Sequence, residues 1–147
     1  QAAIGCAQLE KLDDIVEARR KNFAYLKQGL QGVKGLMLPE AQKNSNPSWF
    51  GFLISVKEDS GFTRNELAQY LESRKIQTRN LFAGNLLKHP AFSEMRKSGE
   101  GYRIAGDLTV TDFIMNNTLW IGVYPGMTKE MLDHMIASIR DFVSTRI

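Results

Sequence analysis

Between Ile4 and Leu30 the apolar residues Leu9, Leu12, Val16, Phe23, Leu26 and Leu30 recur at intervals of three, four or seven, with Glu10, Lys11, Asp13, Asp14, Glu17, Arg19 and Arg20 between them. That spacing lays one apolar stripe along a helix and predicts a single long amphipathic helix. Its acids come early and its bases late, as the helix dipole favours, and Gly29 and Gly32 are stop signals. Leu36 to Pro47 is polar and bracketed by Pro39 and Pro47, which predicts a surface connection. Trp49 to Val56 is aromatic and β-branched and closes at Lys57–Gly61, the signature of a strand. Thr63 stands three residues before Glu66, the spacing of a capping box, and Leu67, Tyr70 and Leu71 give the following helix an apolar face.

Further along, Ile76 to Phe82 predicts a second strand, and Pro90 ends any short helix over Asn85–Lys88. Ser93 to Gly106 is polar and contains glycine, so a loop is expected. Thr118 to Tyr124 predicts a third strand, stopped by Pro125-Gly126. Thr128 caps a final helix in which Met131, Leu132, Met135, Ile136, Ile139, Phe142 and Val143 follow helical spacing. The order predicts a two-layer α+β domain: about three antiparallel strands, helices on one face, and the long helix in front. The uncovered face, carrying alternate residues of Trp49–Val56 and Leu119–Tyr124, then requires another domain or subunit.

A chain of 147 residues, 43% apolar and 24% charged, supports one domain and excludes a disordered tail, a collagen and a disulfide scaffold. Residues 1–32 read as a connecting helix and 48–147 as the α/β core. No apolar run approaches the ~20 residues of a bilayer crossing. Gln1 is not an initiator Met and no signal peptide is visible, so the chain reads as one that begins mid-protein, in the reducing cytoplasm. Cys6 stands alone, without ligand-spaced neighbours, and Asn116-Asn117-Thr118 is a sequon without a secretion signal.

Charge and candidate chemistry sharpen this picture. The net charge is +3, but Leu71–Arg103 alone holds seven cations against three carboxylates. Such a segment suits phosphate or pyrophosphate, or forms a solvated basic surface. Of the two histidines, His134 lies on the last helix as a surface residue, whereas His89 precedes Pro90 in a loop suited to a ligand contact. No dinucleotide fingerprint, phosphate-binding loop, nucleophile elbow or His-Glu-x-x-His motif is present. Thr78-Arg79-Asn80 and Phe82-Ala83-Gly84-Asn85 bring a guanidinium, carboxamides and a glycine together. That composition fits a phosphorylated or sugar ligand, and equally a strand end with a tight turn. Periodicity assigns Trp49 and Phe50 to the core, while their place after a polar loop leaves a ligand platform open.

Several segments together resemble one family: Gln1-Ala2-Ala3-Ile4-Gly5, Pro47-Ser48-Trp49-Phe50-Gly51-Phe52, Thr78-Arg79 with Leu81-Phe82-Ala83-Gly84-Asn85-Leu86, and Met115-Asn116-Asn117-Thr118 with Trp120 to Gly126. They resemble the C-terminal part of CDP-4-keto-6-deoxyglucose 3-dehydrases, in the nucleotide-sugar aminotransferase superfamily of fold type I pyridoxal phosphate enzymes. The first segment marks the superfamily; Trp-Phe-Gly-Phe and Phe-Ala-Gly-Asn-Leu point to the dehydrase branch. The resemblance implies C3 deoxygenation of CDP-4-keto-6-deoxyglucose with pyridoxamine phosphate, for lipopolysaccharide dideoxysugars. A [2Fe–2S] cluster would pass electrons from a separate NADH-dependent reductase.

It also implies that the catalytic histidine, the cluster cysteines and the cofactor contacts lie in a large domain absent from this chain. This chain would then hold no catalytic, cofactor or metal residue, bind no cofactor itself and be inactive alone. It would close over the substrate through Phe50, Arg79, Phe82, Asn85 and His89, within a homodimer. Related aminotransferases commonly carry histidine at the position of Phe50, and a phenyl ring cannot relay a proton. Arg79 suits a phosphate. Ser93–Gly101 reads as a loop insertion without function. Three other readings stand beside this one: the small domain of a lysine-dependent sugar aminotransferase, an oligomerisation module, and a basic nucleic-acid-binding module. The last has only the basic segment in its favour, without a recognition motif, so no nucleic acid and no membrane is expected as a partner.

Overall fold

The computed structural model describes residues 1–146. The expected long first helix is two helices, α1 (Ala2–Leu9) and α2 (Leu12–Leu30), separated by a turn at Glu10-Lys11. No side chain of α1 is buried. In α2, by contrast, Phe23, Leu26 and Leu30 enter the core, and Asp13 and Asp14 open it while Lys27 closes it, in line with the dipole.

The chain continues through β1 (Leu36–Met37), β2 (Gly51–Val56), α3 (Arg64–Ser73), β3 (Thr78–Asn80), α4 (Ser93–Ser98), α5 (Thr109–Asn117), β4 (Thr118–Gly122) and α6 (Lys129–Ser144). The sheet has four antiparallel strands in the order β1-β2-β4-β3 rather than three. The extra strand is Leu36–Met37, expected in a polar connection; it pairs with Val56 and Ser55, and two residues are too few to show an alternation. α4 replaces part of the expected loop. Every residue but Phe92 and Met95 around it is polar or small, so it lacks an apolar stripe, and Gly99 ends it in a left-handed conformation.

β2 and β4 pair with Phe52 opposite Ile121 and Ile54 opposite Leu119, and all four side chains are fully enclosed. They face α2, α3 and α6, whose Leu26, Leu67, Leu71, Ile139 and Phe142 complete the core. α5 contributes no buried side chain and leads directly into β4, beside the hydroxyl pair Ser55–Thr118 at 2.7 Å. By strand alternation Leu53 and Trp120, opposite one another, point away from that core. The indole lies across Gly51. A Cβ there would stand 2.6 Å from the ring's Cε3, closer than any side chain tolerates.

Polar ties fix the ends of these elements. Arg64, at the start of α3, is buried and donates from Nη1 to Asn80 Oδ1 at 2.7 Å and to the Thr118 carbonyl at 3.1 Å, joining β3 to β4. Burial holds its guanidinium below the ordinary arginine value. The capping box forms as expected: Glu66 N donates to Thr63 Oγ1 at 3.2 Å, and Glu66 Oε2 accepts from Thr63 N at 2.8 Å. These bonds hold the Glu66 carboxyl below its ordinary 4.5.

Gly51→Ala is expected to lower stability by about 1–3 kcal/mol, since the added methyl must displace the indole, with a matching change in tryptophan fluorescence on thermal unfolding. A depressed carboxyl contributes above its unfolded value and less as pH falls. The wild type should therefore resist urea better than Glu66→Gln at about pH 7, with the advantage shrinking as pH falls below about 4.5.

Candidate functional site

The site begins in α2. Arg19 Nη1 donates to the Trp49 carbonyl at 2.9 Å and to that of Phe50 at 3.3 Å, and Arg20 Nη2 donates to the Asn46 carbonyl at 2.7 Å. The two arginines fasten the segment entering β2. Within it the chain changes direction at Trp49, which has a positive φ of 34°. Trp49 turns inward and stacks on Phe23, centroids 3.8 Å apart and rings parallel within 1°. Phe50 turns outward and is 69% exposed. One residue therefore joins the core and its neighbour the surface, where periodicity assigned both to the core.

On the outward face Phe50 meets Trp120 at 5.0 Å between centroids and Phe82 at 6.3 Å. Phe82 is 76% exposed and sits in the turn after β3 with a φ of 44°. Such strain concentrates at binding sites. Arg79 is the register partner of Trp120, and its guanidinium carbon lies 5.9 Å from the indole centroid. An apolar recess of about 360 Å3 opens beside Trp120 between Pro47, Leu53 and Leu81. It adjoins a cleft of about 930 Å3 whose walls carry Arg19, Lys75 and Arg79 and no carboxylate. Aromatic faces beside unpaired positive charge suit a ligand that joins a ring to a phosphate.

Of the five residues read as substrate-binding, the structure brings Phe50, Arg79 and Phe82 together. Asn85 and His89 lie in the turn behind them, occupied by the fold. Asn85 is buried; its Nδ2 donates to Asp112 Oδ1 at 2.8 Å and its Oδ1 accepts from Leu87 N at 3.1 Å. His89 Nε2 bonds the Ala83 carbonyl. His134 is exposed and bonds the Arg74 carbonyl at 2.9 Å. Sequence reasoning missed Trp120 and Arg19 as parts of the site. Trp120 was visible only as one of the alternate residues on the uncovered face, and Arg19 as a polar position of a helix.

Comparison with known proteins gives this arrangement a context. The chain is 52% identical over 143 residues to the lipopolysaccharide biosynthesis protein RfbH of Salmonella typhimurium, covering 97% of this chain and 32% of that protein. It is 49% identical over 144 residues to the dTDP-4-dehydro-2,6-dideoxy-D-glucose 3-dehydratase of Saccharopolyspora spinosa, covering 98% of this chain and 30% of that enzyme. The solved structure of E. coli GDP-4-keto-6-deoxy-D-mannose-3-dehydratase with bound hydrated PLP superposes with a TM-score of 0.80 at 28% identity, over 93% of this chain and 34% of that one. The chain thus spans about a third of the length of the curated relatives it matches. A family model, that of the DegT/DnrJ/EryC1/StrS aminotransferase family, matches residues 1–140, and the chain belongs to that family.

Proposed function

We propose that this chain is the C-terminal small domain of a cytoplasmic, homodimeric CDP-4-keto-6-deoxyglucose 3-dehydrase, and that its outward sheet face closes over the nucleotide sugar. The observation that carries the reading is the shelf of Phe50, Trp120 and Phe82 with Arg79 beside it. The high identity to a 3-dehydratase and to a lipopolysaccharide biosynthesis protein supports the reaction class and the setting.

The chain's own residues set the limits of its part. A [2Fe–2S] cluster takes four protein ligands. Cys6 is the single cysteine, and the described residues contain no group of three or more His, Cys, Asp or Glu placed to hold a metal. The cleft also has no carboxylate to pair with a pyridinium nitrogen, so it does not fit pyridoxamine phosphate by itself. In this reading both groups, and the electrons from the reductase, reach the sugar through other parts of the enzyme.

What remains for this domain is binding and exclusion of water. The phenyl ring of Phe50 has no proton to give or take, so the shelf packs against the sugar without protonating it. Arg79, with Arg19 and Lys75 along the cleft, holds the negative charge of the pyrophosphate. Contact with the aromatic rings keeps water from the deoxygenating carbon, which favours dehydration over side reactions.

The full-length enzyme, given CDP-4-keto-6-deoxyglucose, pyridoxamine phosphate and an NADH-linked reductase, is expected to release a C3-deoxygenated sugar. A 4-amino sugar with the C3 hydroxyl retained would establish the aminotransferase reading instead. In that enzyme Arg79→Ala should raise KM for the CDP-sugar about tenfold with kcat nearly unchanged, the loss of one charge-assisted hydrogen bond. An unchanged KM would remove Arg79 from the site.

A further inference from the structure

Asp112, on α5, lies outside the aromatic shelf, yet the turn that carries the shelf's outer ring is fastened to it. Its Oδ1 accepts from Asn85 Nδ2 at 2.8 Å, and its Oδ2 lies 2.8 Å from Lys88 Nζ. Both partners follow Phe82 within the same turn. A third contact comes from the next turn of α5, where Met115 packs on Gly84. A Cβ on Gly84 would stand 2.6 Å from Met115 Cγ, and its φ of +65° is one that favours glycine.

Besides these contacts, the turn is tied by His89 Nε2 on the Ala83 carbonyl and by Arg96 Nη1 on the Leu87 carbonyl, neither of which reaches α5. From Leu81 to Lys88 only Asn85 is buried, and Phe82 projects into solvent with a strained backbone. Removing Asp112 would leave the buried carboxamide without its acceptor, a larger loss than the half-exposed ion pair to Lys88. Lys88 and Asn85 together hold the Asp112 carboxyl below the usual aspartate value, so it is charged at neutral pH.

We propose that Asp112 is a positioning residue that latches the Phe82 turn to α5 and so sets where Phe82 meets the nucleotide sugar. The proposal rests on the reading of the shelf as the substrate-contacting face. A structural anchor that acts through one side chain has a distinct signature, because its loss and the loss of that side chain remove the same contact.

The experiment is a double-mutant cycle in the full-length enzyme, read as KM for CDP-4-keto-6-deoxyglucose and as kcat. Asp112→Ala and Phe82→Ala are each expected to raise KM about tenfold with kcat nearly unchanged, and the double variant also about tenfold, because the second change removes nothing more. Asp112→Asn keeps an acceptor for Asn85 and the side chain's shape; it should raise KM only about threefold, and it carries the same cycle if Asp112→Ala does not fold. Effects that multiply to about a hundredfold in the double variant would overturn the latch, as would an unchanged KM in Asp112→Ala beside a raised one in Phe82→Ala. An unchanged KM in Phe82→Ala would instead overturn the binding role of the shelf, and the latch with it.

Discussion

The register of β2 against β4 places Phe52 beside Ile121 and Ile54 beside Leu119, so four enclosed apolar side chains point one way while Leu53 and Trp120 point the other. Both consequences come from the same period of two. The inward set gives α2, α3 and α6 a surface to pack on, and burial of that surface is the main favourable term for so small a domain. The outward set stays open because no core helix covers it. Gly51 completes the arrangement: with no side chain at that point, the indole of Trp120 lies across the strand and presents its rings to Phe50. A slip of one residue would exchange the two faces and lose the core and the shelf together.

Around this register, polar groups settle the irregular segments. Arg19 and Arg20 hold backbone carbonyls of the segment entering β2, Arg64 ties β3 to β4, and Asp112 ties the Phe82 turn to α5. In each case a charged side chain bonds to carbonyls or carboxamides at a point where the chain changes direction. The strained residues Trp49 and Phe82 sit beside these ties, which is where unfavourable backbone conformations can be maintained. Arg79 makes no such tie among the described residues. It is aimed over Trp120 along a wall free of carboxylates, so its charge is available to a ligand.

Elements with strong periodicity and recognisable caps are legible in the amino-acid pattern alone. β2, β4, α3 with its capping box, and α6 with Thr128 all fall close to where the pattern puts them. The failures have physical causes. α1 buries no side chain, β1 is only two residues long, and α4 and α5 bury no side chain. For the site, residue type was legible and direction was not. Phe50 and Trp49 are adjacent aromatics, and only the positive φ at Trp49 separates core from surface. The bond from Asn85 to Asp112 spans 27 positions, a pairing that no local pattern contains.

In the proposed function the outward face of this sheet touches the nucleotide sugar. A crystal structure of the full-length enzyme with CDP-4-keto-6-deoxyglucose bound tests that contact most directly. The sugar or pyrophosphate is expected within about 4 Å of the Phe50 ring, with the Arg79 guanidinium on a phosphate oxygen. A bound nucleotide sugar that leaves Phe50, Trp120 and Arg79 in solvent would contradict it.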